Sequence, residues 1–355
     1  MTKFLLFSIM FFLTFQSCYS QEIKCKKSLL IAHYNVENLF DTIDDPHKND
    51  NEFLPSSEKK AWDSKKYWAK QQKIAYVIQQ IDPKHLPDII TLVEIESITV
   101  LNDLVNQAEI KSVNYQIIHR EGPDARGIDC AILYNPKSFK LIESKYFAVT
   151  LLDDNRFKTR KITYAKGLTE SKDTLHIFAN HWPSRSGGEA KSVHKRNRAA
   201  EVLRQAVDSI LMSNSDAKII ILGDFNDETD NASIDSVLNA KSQAPFNPAD
   251  LVNMSAEQDR NGIGTYHYYK TNEWNMLDQM IVTSNLLSDF NGGLMTKSSQ
   301  MQIFSPDWIL EKDKKGNNIP FKTYAKGYNG GYSDHLPIYQ YFYWKCKLKK
   351  YTDSL

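Results

Sequence analysis

The chain has 355 residues, 41% hydrophobic and 25% charged, with Lys+Arg 44 against Asp+Glu 43. Those proportions exclude collagen-like, low-complexity and wholly disordered chains, and the length suffices for one large domain or two ordinary ones with a sizeable core. A net charge of +1 excludes a global field that would steer the chain to nucleic acid or membrane, so any grip on an anionic substrate must be local.

Residues 1–20 read as a signal peptide: Lys3, an apolar run over 4–15, then Ser17, Cys18, Tyr19 and Ser20 before a cut ahead of Gln21. The run is too short for a comfortable membrane span, and no later run reaches about 18 apolar residues. The alternatives are a buried N-terminal helix and lipid attachment at Cys18, for which Phe15-Gln16-Ser17 is a poor lipobox. The expected product is exported, secreted or periplasmic, with one domain over 21–355. Export permits disulfides. Cys130, inside the apolar run 128–134, reads as a buried small hydrophobe.

Residues 29–36 form an apolar opening strand, and the polar segment 41–60 reads as a long surface loop. Helical spacing of Tyr67, Ile74, Val77, Ile78 and Ile81 predicts a helix over 62–81, stopped by Pro83 and Pro87. A buried-type strand at 88–93 precedes an amphipathic helix at 97–108 with Ser97 as N-cap. Strands are predicted at 115–119, 128–134, 139–150, 158–164 and 174–180. A helix over 189–211 and strands at 218–223, 276–283 and 337–344 complete the pattern. With no internal repeat and no Pro-, Gly- or Ser-rich linker, this is an α+β sandwich of two sheets flanked by helices.

The chemistry collects where strands end. Asn35 and Glu37 follow the first strand, Glu94 and Glu96 the strand at 88–93, and His181 and Arg185 the strand at 174–180. Asp224, Asn226 and Asp227 follow 218–223, Asp278 lies just inside the strand at 276–283, and Asp334-His335 precede the final one. Strand ends on one rim converge, so these carboxylates, amides and histidines form one cluster. Hard oxygen donors suit Mg²⁺, Mn²⁺ or Ca²⁺, and no HExxH or CxxC pattern argues for zinc.

Six of these segments, HYNVENLFD, TLVEIES, ANHWPSRSGG, ILGDFNDE, MLDQMIV and YSDHLPI, recur in the order seen in the endonuclease/exonuclease/phosphatase superfamily, which the chain resembles over nearly its whole mature length. The superfamily includes pancreatic-type deoxyribonucleases and abasic-site endonucleases. The resemblance implies a four-layered α/β sandwich with two central, mostly antiparallel sheets and a divalent-metal phosphodiester cleavage site at one edge. Glu94 would be the chief metal ligand, with Asn35 and Asp334 nearby, holding Mg²⁺ or Mn²⁺ with Ca²⁺ as an auxiliary ion. Asp224 and Asn226 would position water and phosphate, and His335, oriented by Asp278, would be the general base, a role that Asp224 takes in some branches. His181 would bind the phosphate or protonate the leaving oxygen, paired with Asp129. Arg126, Arg160 and Arg185 are the substrate-binding candidates. If Asn35 ends the first strand and His335 starts an adjacent antiparallel last one, Cys25 and Cys346 meet at the opposite rim as a disulfide contributing about 2–4 kcal/mol.

Other features carry blander readings. Glu37 and Glu96 are loop charges; His33, His119, His176 and His267 carry no motif and read as structural or exposed. The basic run 185–204 reads as a solvated helix face, except where Arg185 adjoins His181. The aromatic cluster Tyr266, His267, Tyr268, Tyr269 and Trp274 suits either base stacking or ordinary packing. The leading function is an exported monomeric nuclease on DNA or RNA, with nucleic acid as substrate and no stable protein partner. The alternatives are a hydrolase of small or lipid phosphoesters, such as inositol phosphate or sphingomyelin, and an inactive binding module on the same fold. The segments 41–60 and 291–332 depart from the simplest family pattern and bear on substrate entry.

Overall fold

The computed structural model describes residues 26–287 and 293–345. In chain order, β1 (Lys26–Leu39), α1 (Ser64–Ile81), β2 (Ile89–Ile95), α2 (Ile98–Val105), β3 (Gln116–His119) and β4 (Asp129–Tyr134) come first. They are followed by β5 (Phe139–Phe147), β6 (Ile162–Thr169), β7 (Thr174–His181), α3 (Glu189–Ser213), β8 (Lys218–Asp224), β9 (Ala240–Lys241) and β10 (Leu251–Asn253). The last third holds α4 (Ala256–Arg260), β11 (Tyr266–Tyr268), β12 (Glu273–Asn275), β13 (Asp278–Thr283), β14 (Gln302–Ile303), β15 (Leu310–Lys312), β16 (Asn318–Pro320) and β17 (Ile338–Lys345).

Two sheets carry the fold, ordered β14-β17-β1-β2-β4-β3 and β5-β6-β7-β8-β13-β10-β9. Most pairings are antiparallel; β1 with β2, β7 with β8, and β9 with β10 are parallel. Strand alternation divides the apolar residues into three cores. Leu30, Ala32 and Tyr34 of β1 pack under α1 and α2, while Leu29 and Ile31 meet Ile177, Ile220 and Met280 of the second sheet. Phe178, Ile219 and Ile221 face Ala199, Leu203 and Val207 of α3. Helix, sheet, sheet and helix thus form the expected four layers. Asp63 and Ser97 cap α1 and α2 by accepting the Lys66 and Val100 N–H groups. Among the described residues no helix is long and apolar enough to cross a membrane.

Some boundaries move. The strand expected at 158–164 begins only at Ile162, and that expected at 276–283 begins at Asp278. Segment 41–60 is more than a surface loop. Phe53 is buried and stacks on Phe40 at 4.0 Å, and Asp50 is buried. Lys48 Nζ donates to the carbonyls of Gly122 (2.9 Å) and Asp124 (3.1 Å), bracing the loop that carries Arg126. Cys130 is buried and free, as its setting predicted. β1 and β17 are antiparallel neighbours, with Lys26 opposite Lys345; the signal-peptide segment, Cys25 and Cys346 lie outside the described residues.

A buried histidine gives the fold a pH dependence. His176 on β7 meets the Tyr164 hydroxyl at 2.7 Å, and burial lowers its pKa to about 4. The unfolded side chain takes its proton near pH 6.5, the folded one near 4, so this histidine costs no stability above 6.5 and a growing amount as pH falls toward 4. The urea midpoint is therefore expected to drop between pH 7.5 and 4.5, and His176→Gln to flatten that drop. An unchanged slope in the variant would remove His176 as the source.

Candidate active site

Alternation along the strands selects which polar residues meet. On β1 the odd positions face the second sheet, so His33 and Asn35 continue the row begun by Leu29 and Ile31. On β8 and β13 the even positions face the first sheet, which aims Asp224 and Asp278 into the same space, directly opposite each other in register. On β7 the odd row ends at His181, paired in register with Asp224. Asp129 sits on the opposite parity of β4 from Cys130 and Ile132, and so misses His181. Its carboxylate accepts the Gly122 N–H at 3.0 Å and lies 3.8 Å from His119 Nε2, which overturns the expected His181–Asp129 pairing.

Glu94 would face the helices by the same rule, yet it lines the cleft. Its backbone is left-handed (φ 65°), at a register irregularity between Val93 and Ile95. That turn re-aims the side chain, as bulges do beside active sites. Glu37 (φ 51°), Asn38 (φ 55°) and Asn226 (φ 51°) share this conformation, each at a cost of about 1–3 kcal/mol that the surrounding contacts must offset.

The groups converge on one carboxylate oxygen. Asp224 Oδ2 accepts from Asn35 Nδ2 at 3.0 Å, and lies 3.6 Å from His181 Nε2 and 3.8 Å from His335 Nε2. Asp224 Oδ1 accepts the Asn226 N–H at 2.9 Å, while the Asn226 side chain donates to the Trp182 carbonyl. His335 Nδ1 is 2.6 Å from Asp278 Oδ2, the orientation expected for this pair. Burial works against charge on His335, but the Asp278 and Asp224 carboxylates outweigh it and raise its pKa well above the ordinary value. Burial, aided by Arg160 and Arg126, depresses His181 instead, and pushes Asp224 up to about 7. Two histidines of opposite charge preference therefore flank one carboxylate.

This cluster floors a cleft of about 940 Å³ that Glu94, Asp334, Arg126, Tyr266, Tyr268 and Lys270 also line. Tyr266 lies against His335, with ring centroids 4.9 Å apart. The β11–β12 hairpin thus gives part of the aromatic cluster a wall of the cleft, whereas His267 packs on Trp274. The three candidate arginines differ. Arg126 reaches the cleft, and among the described residues its guanidinium meets only Asn38 Oδ1, at 3.4 Å. Arg160 is buried against Asp124 (3.1 Å) and the Trp182 carbonyl. Arg185 is clamped on the Asn226 carbonyl, Asn231, Asp227 and Glu228. Elsewhere in the basic run Arg198 and Arg204 pair with Glu201 and Asp208 as a solvated face would, whereas Arg196 is fully buried on Asp227.

Glu37 and Glu96 are not loop charges. Glu37 is buried and accepts the Thr323 and Tyr324 N–H groups, tying the stretch around Thr323 to β1. Lys70 of α1, also buried, donates to the Glu37 carbonyl and Thr323 Oγ1. Burial pushes Glu37 up to about 8 and Lys70 down to about 8. Glu96 accepts the Asp41 N–H at 2.6 Å, and its pKa is also raised by burial to about 8. Ser333, which the sequence reading gave no role of its own, bonds the Asn35 carbonyl and the His335 N–H.

The donor chemistry fits a hard divalent cation. Glu94 and Asp334 both open to the cleft, and after burial and against the pull of His335, the Glu94 charge helps raise the pKa of Asp334. A cation between them would relieve that repulsion, and Mg²⁺ needs only one or two protein carboxylates because it keeps several waters. Asn35 stands beside them: its Oδ1 accepts the Glu37 N–H and its Nδ2 donates to Asp224. Among the described residues no group of three or more His, Cys, Asp and Glu side chains is gathered closely enough to enclose a metal by itself.

Residues 30–344 match the profile of the Endonuclease/Exonuclease/phosphatase family. No curated protein matches the sequence. Among solved structures, an endonuclease/exonuclease/phosphatase family protein from Bacteroides thetaiotaomicron superposes with a TM-score of 0.55 at 14% identity, over 91% of this chain and 100% of that one. Humanized D. rerio TDP2 gives 0.54 at 16% identity, over 89% and 98%. A mannosyl-6-phosphatase from Bacteroides thetaiotaomicron gives 0.54 at 15% identity, over 88% and 98%. At such identities the likeness to these structures is one of fold. The profile match across nearly the whole described chain carries the assignment: the chain belongs to the Endonuclease/Exonuclease/phosphatase family, whose members are phosphoester hydrolases.

Proposed function

We propose that the protein is an exported, divalent-metal-dependent phosphodiester hydrolase that cleaves DNA or RNA by attack of water on the phosphate. The observation that carries the hydrolytic reading is the meeting of Asn35, His181 and His335 on Asp224 Oδ2, beside the two cleft carboxylates. Enzymes of this family typically use divalent metal ions. A cation held by Glu94 and Asp334 would neutralise charge on the phosphate oxygens. The chain's own groups supply the rest. The Asp224–His335 pair takes the proton of the attacking water, with Asp278 fixing His335 through Nδ1 so that Nε2 faces the cleft. His181 meets the phosphate or the leaving oxygen, and Arg126 and Lys270 face the anion from the cleft walls. An intact set of such groups speaks against an inactive binding module.

A second reading, a hydrolase of small or lipid phosphoesters, is favoured by the neutralised arginines. Arg160 and Arg185 spend their charge on Asp124, Asp227 and Glu228, which removes two of the three candidate arginines from the counterion release that drives nucleic-acid binding. The chain from Gln21, given supercoiled plasmid, single-stranded RNA and a small chromogenic phosphodiester with Mg²⁺ or Mn²⁺, separates the readings. Plasmid or RNA cleavage that EDTA abolishes and the metal restores is expected. Turnover of the small ester alone would select the second reading, and no turnover of any ester would favour the binding module.

A further inference from the structure

A second histidine stands behind the His335–Asp278 pair, and the mechanism above leaves it without a part. His33 lies on β1 with none of its surface exposed. Its Nε2 is 3.0 Å from Asp278 Oδ1 and its Nδ1 is 2.8 Å from Thr91 Oγ1. The β1–β2 register places His33 and Thr91 side by side, and strand parity sends both toward the second sheet. Asp278 is therefore held at both oxygens: His33 at Oδ1, and Thr265 Oγ1 (2.6 Å) with His335 Nδ1 (2.6 Å) at Oδ2.

Donor and acceptor bookkeeping fixes the tautomer. An ionised carboxylate only accepts, so His33 Nε2 carries the hydrogen; Nδ1 is then free to accept the Thr91 hydroxyl. The neutral Nε2–H form satisfies both contacts and adds no charge to a closed part of the core. Loss of that donor would leave Asp278 Oδ1 a buried acceptor without a partner and free the carboxylate plane to tilt away from the line to His335 Nδ1.

We propose that His33 is a positioning residue for the hydrolytic reaction, its Nε2–H anchoring Asp278 Oδ1 so that Oδ2 stays aimed at His335 Nδ1. The inference rests on the proposed role of His335 in proton handling. It assigns His33, expected from sequence only to be structural or exposed, a specific effect on turnover, not on substrate affinity.

Long-range proton–nitrogen NMR spectra of the wild-type imidazoles are expected to show His33 as the neutral Nε2–H tautomer; the Nδ1–H tautomer would overturn the proposal. His33→Leu is expected to lower kcat by about tenfold or more with KM within about twofold, the scale of lost orienting contacts. His33→Gln, whose amide N–H reaches the Nε2 position, should return kcat to within about threefold of wild type. Wild-type kcat in His33→Leu, or a His33→Gln enzyme slowed more than about tenfold, sinks the assignment, the latter even where His33→Leu does not fold. A wild-type protein inert toward every phosphoester offered would instead sink the proposed function, and the tautomer spectrum would still decide the His33–Asp278 contact.

Discussion

His335→Gln is expected to lower kcat by about 10³-fold while KM moves little, because a positioned acid–base side chain contributes about 10²–10⁴-fold. The imidazole is anchored through Nδ1 to Asp278 and presents Nε2 to the cleft, 3.8 Å from Asp224. Gln keeps a polar group of similar length but cannot gain or lose a proton. Its loss also removes the cation that offsets Asp224 and Asp278, so part of the effect is electrostatic. Steady-state kinetics on the best substrate found, with a thermal melt to confirm folding, checks this. A variant within about tenfold of wild type would remove His335 from the chemistry. His181→Ala is the companion, expected to lose about 10²-fold or more, since His181 shares Asp224 Oδ2 but lacks a partner at Nδ1 among the described residues.

The largest stability effect is expected at Arg196. Its guanidinium is fully buried, with Nε 2.6 Å from Asp227 Oδ1 and Nη1 donating to Ser192 Oγ at 2.8 Å. Asp227 is equally buried and accepts the Ser233 hydroxyl at 2.6 Å, while the Asp227 carbonyl accepts from Gln279. Removing one member of a buried pair strands the other charge, at a cost of about 3–5 kcal/mol. Arg185, 3.4 Å from Asp227, offsets some of that, so Arg196→Met is expected near the lower end. Urea unfolding measures it, and Arg196→Met combined with Asp227→Leu should recover much of the loss because no charge is then stranded. A loss below about 1 kcal/mol in the single variant would mean that water reaches Asp227. Activity should fall in parallel, since the pair ties the loop after His181 to the loop carrying Asn226.

Residues near the site differ in how far their roles could be read beforehand. The convergence of Asn35, His181, Asp224 and Asp278 follows from polar residues ending apolar strands, the His335–Asp278 pair is what the family resemblance implied, and the structure brings all of them together. Glu37 was hidden because VENL looks like a strand running into solvent; its partners Thr323 and Tyr324 are nearly three hundred positions away. Lys70 sits in a polar stretch of α1 that resembles an exposed face, yet its Nζ is covered by the same distant segment. The aim of Glu94 depends on a left-handed backbone that no single residue type demands.

The sequence by itself determined the main strands and helices and the residue types at each strand end, because periodicity and the switch from apolar to polar are properties of neighbouring residues, and the order of its motifs carried the family. Only the tertiary structure decided which charges are free and which are spent. It left Arg126 open to the cleft while consuming Arg160 and Arg185 on carboxylates, bound Asn35 to Glu37 and Asp224, and placed His33 behind Asp278. The physical reason is that neutralisation and hydrogen-bond satisfaction depend on distance in space, and in a four-layer sandwich the partners that meet at one rim come from segments that are strangers along the chain.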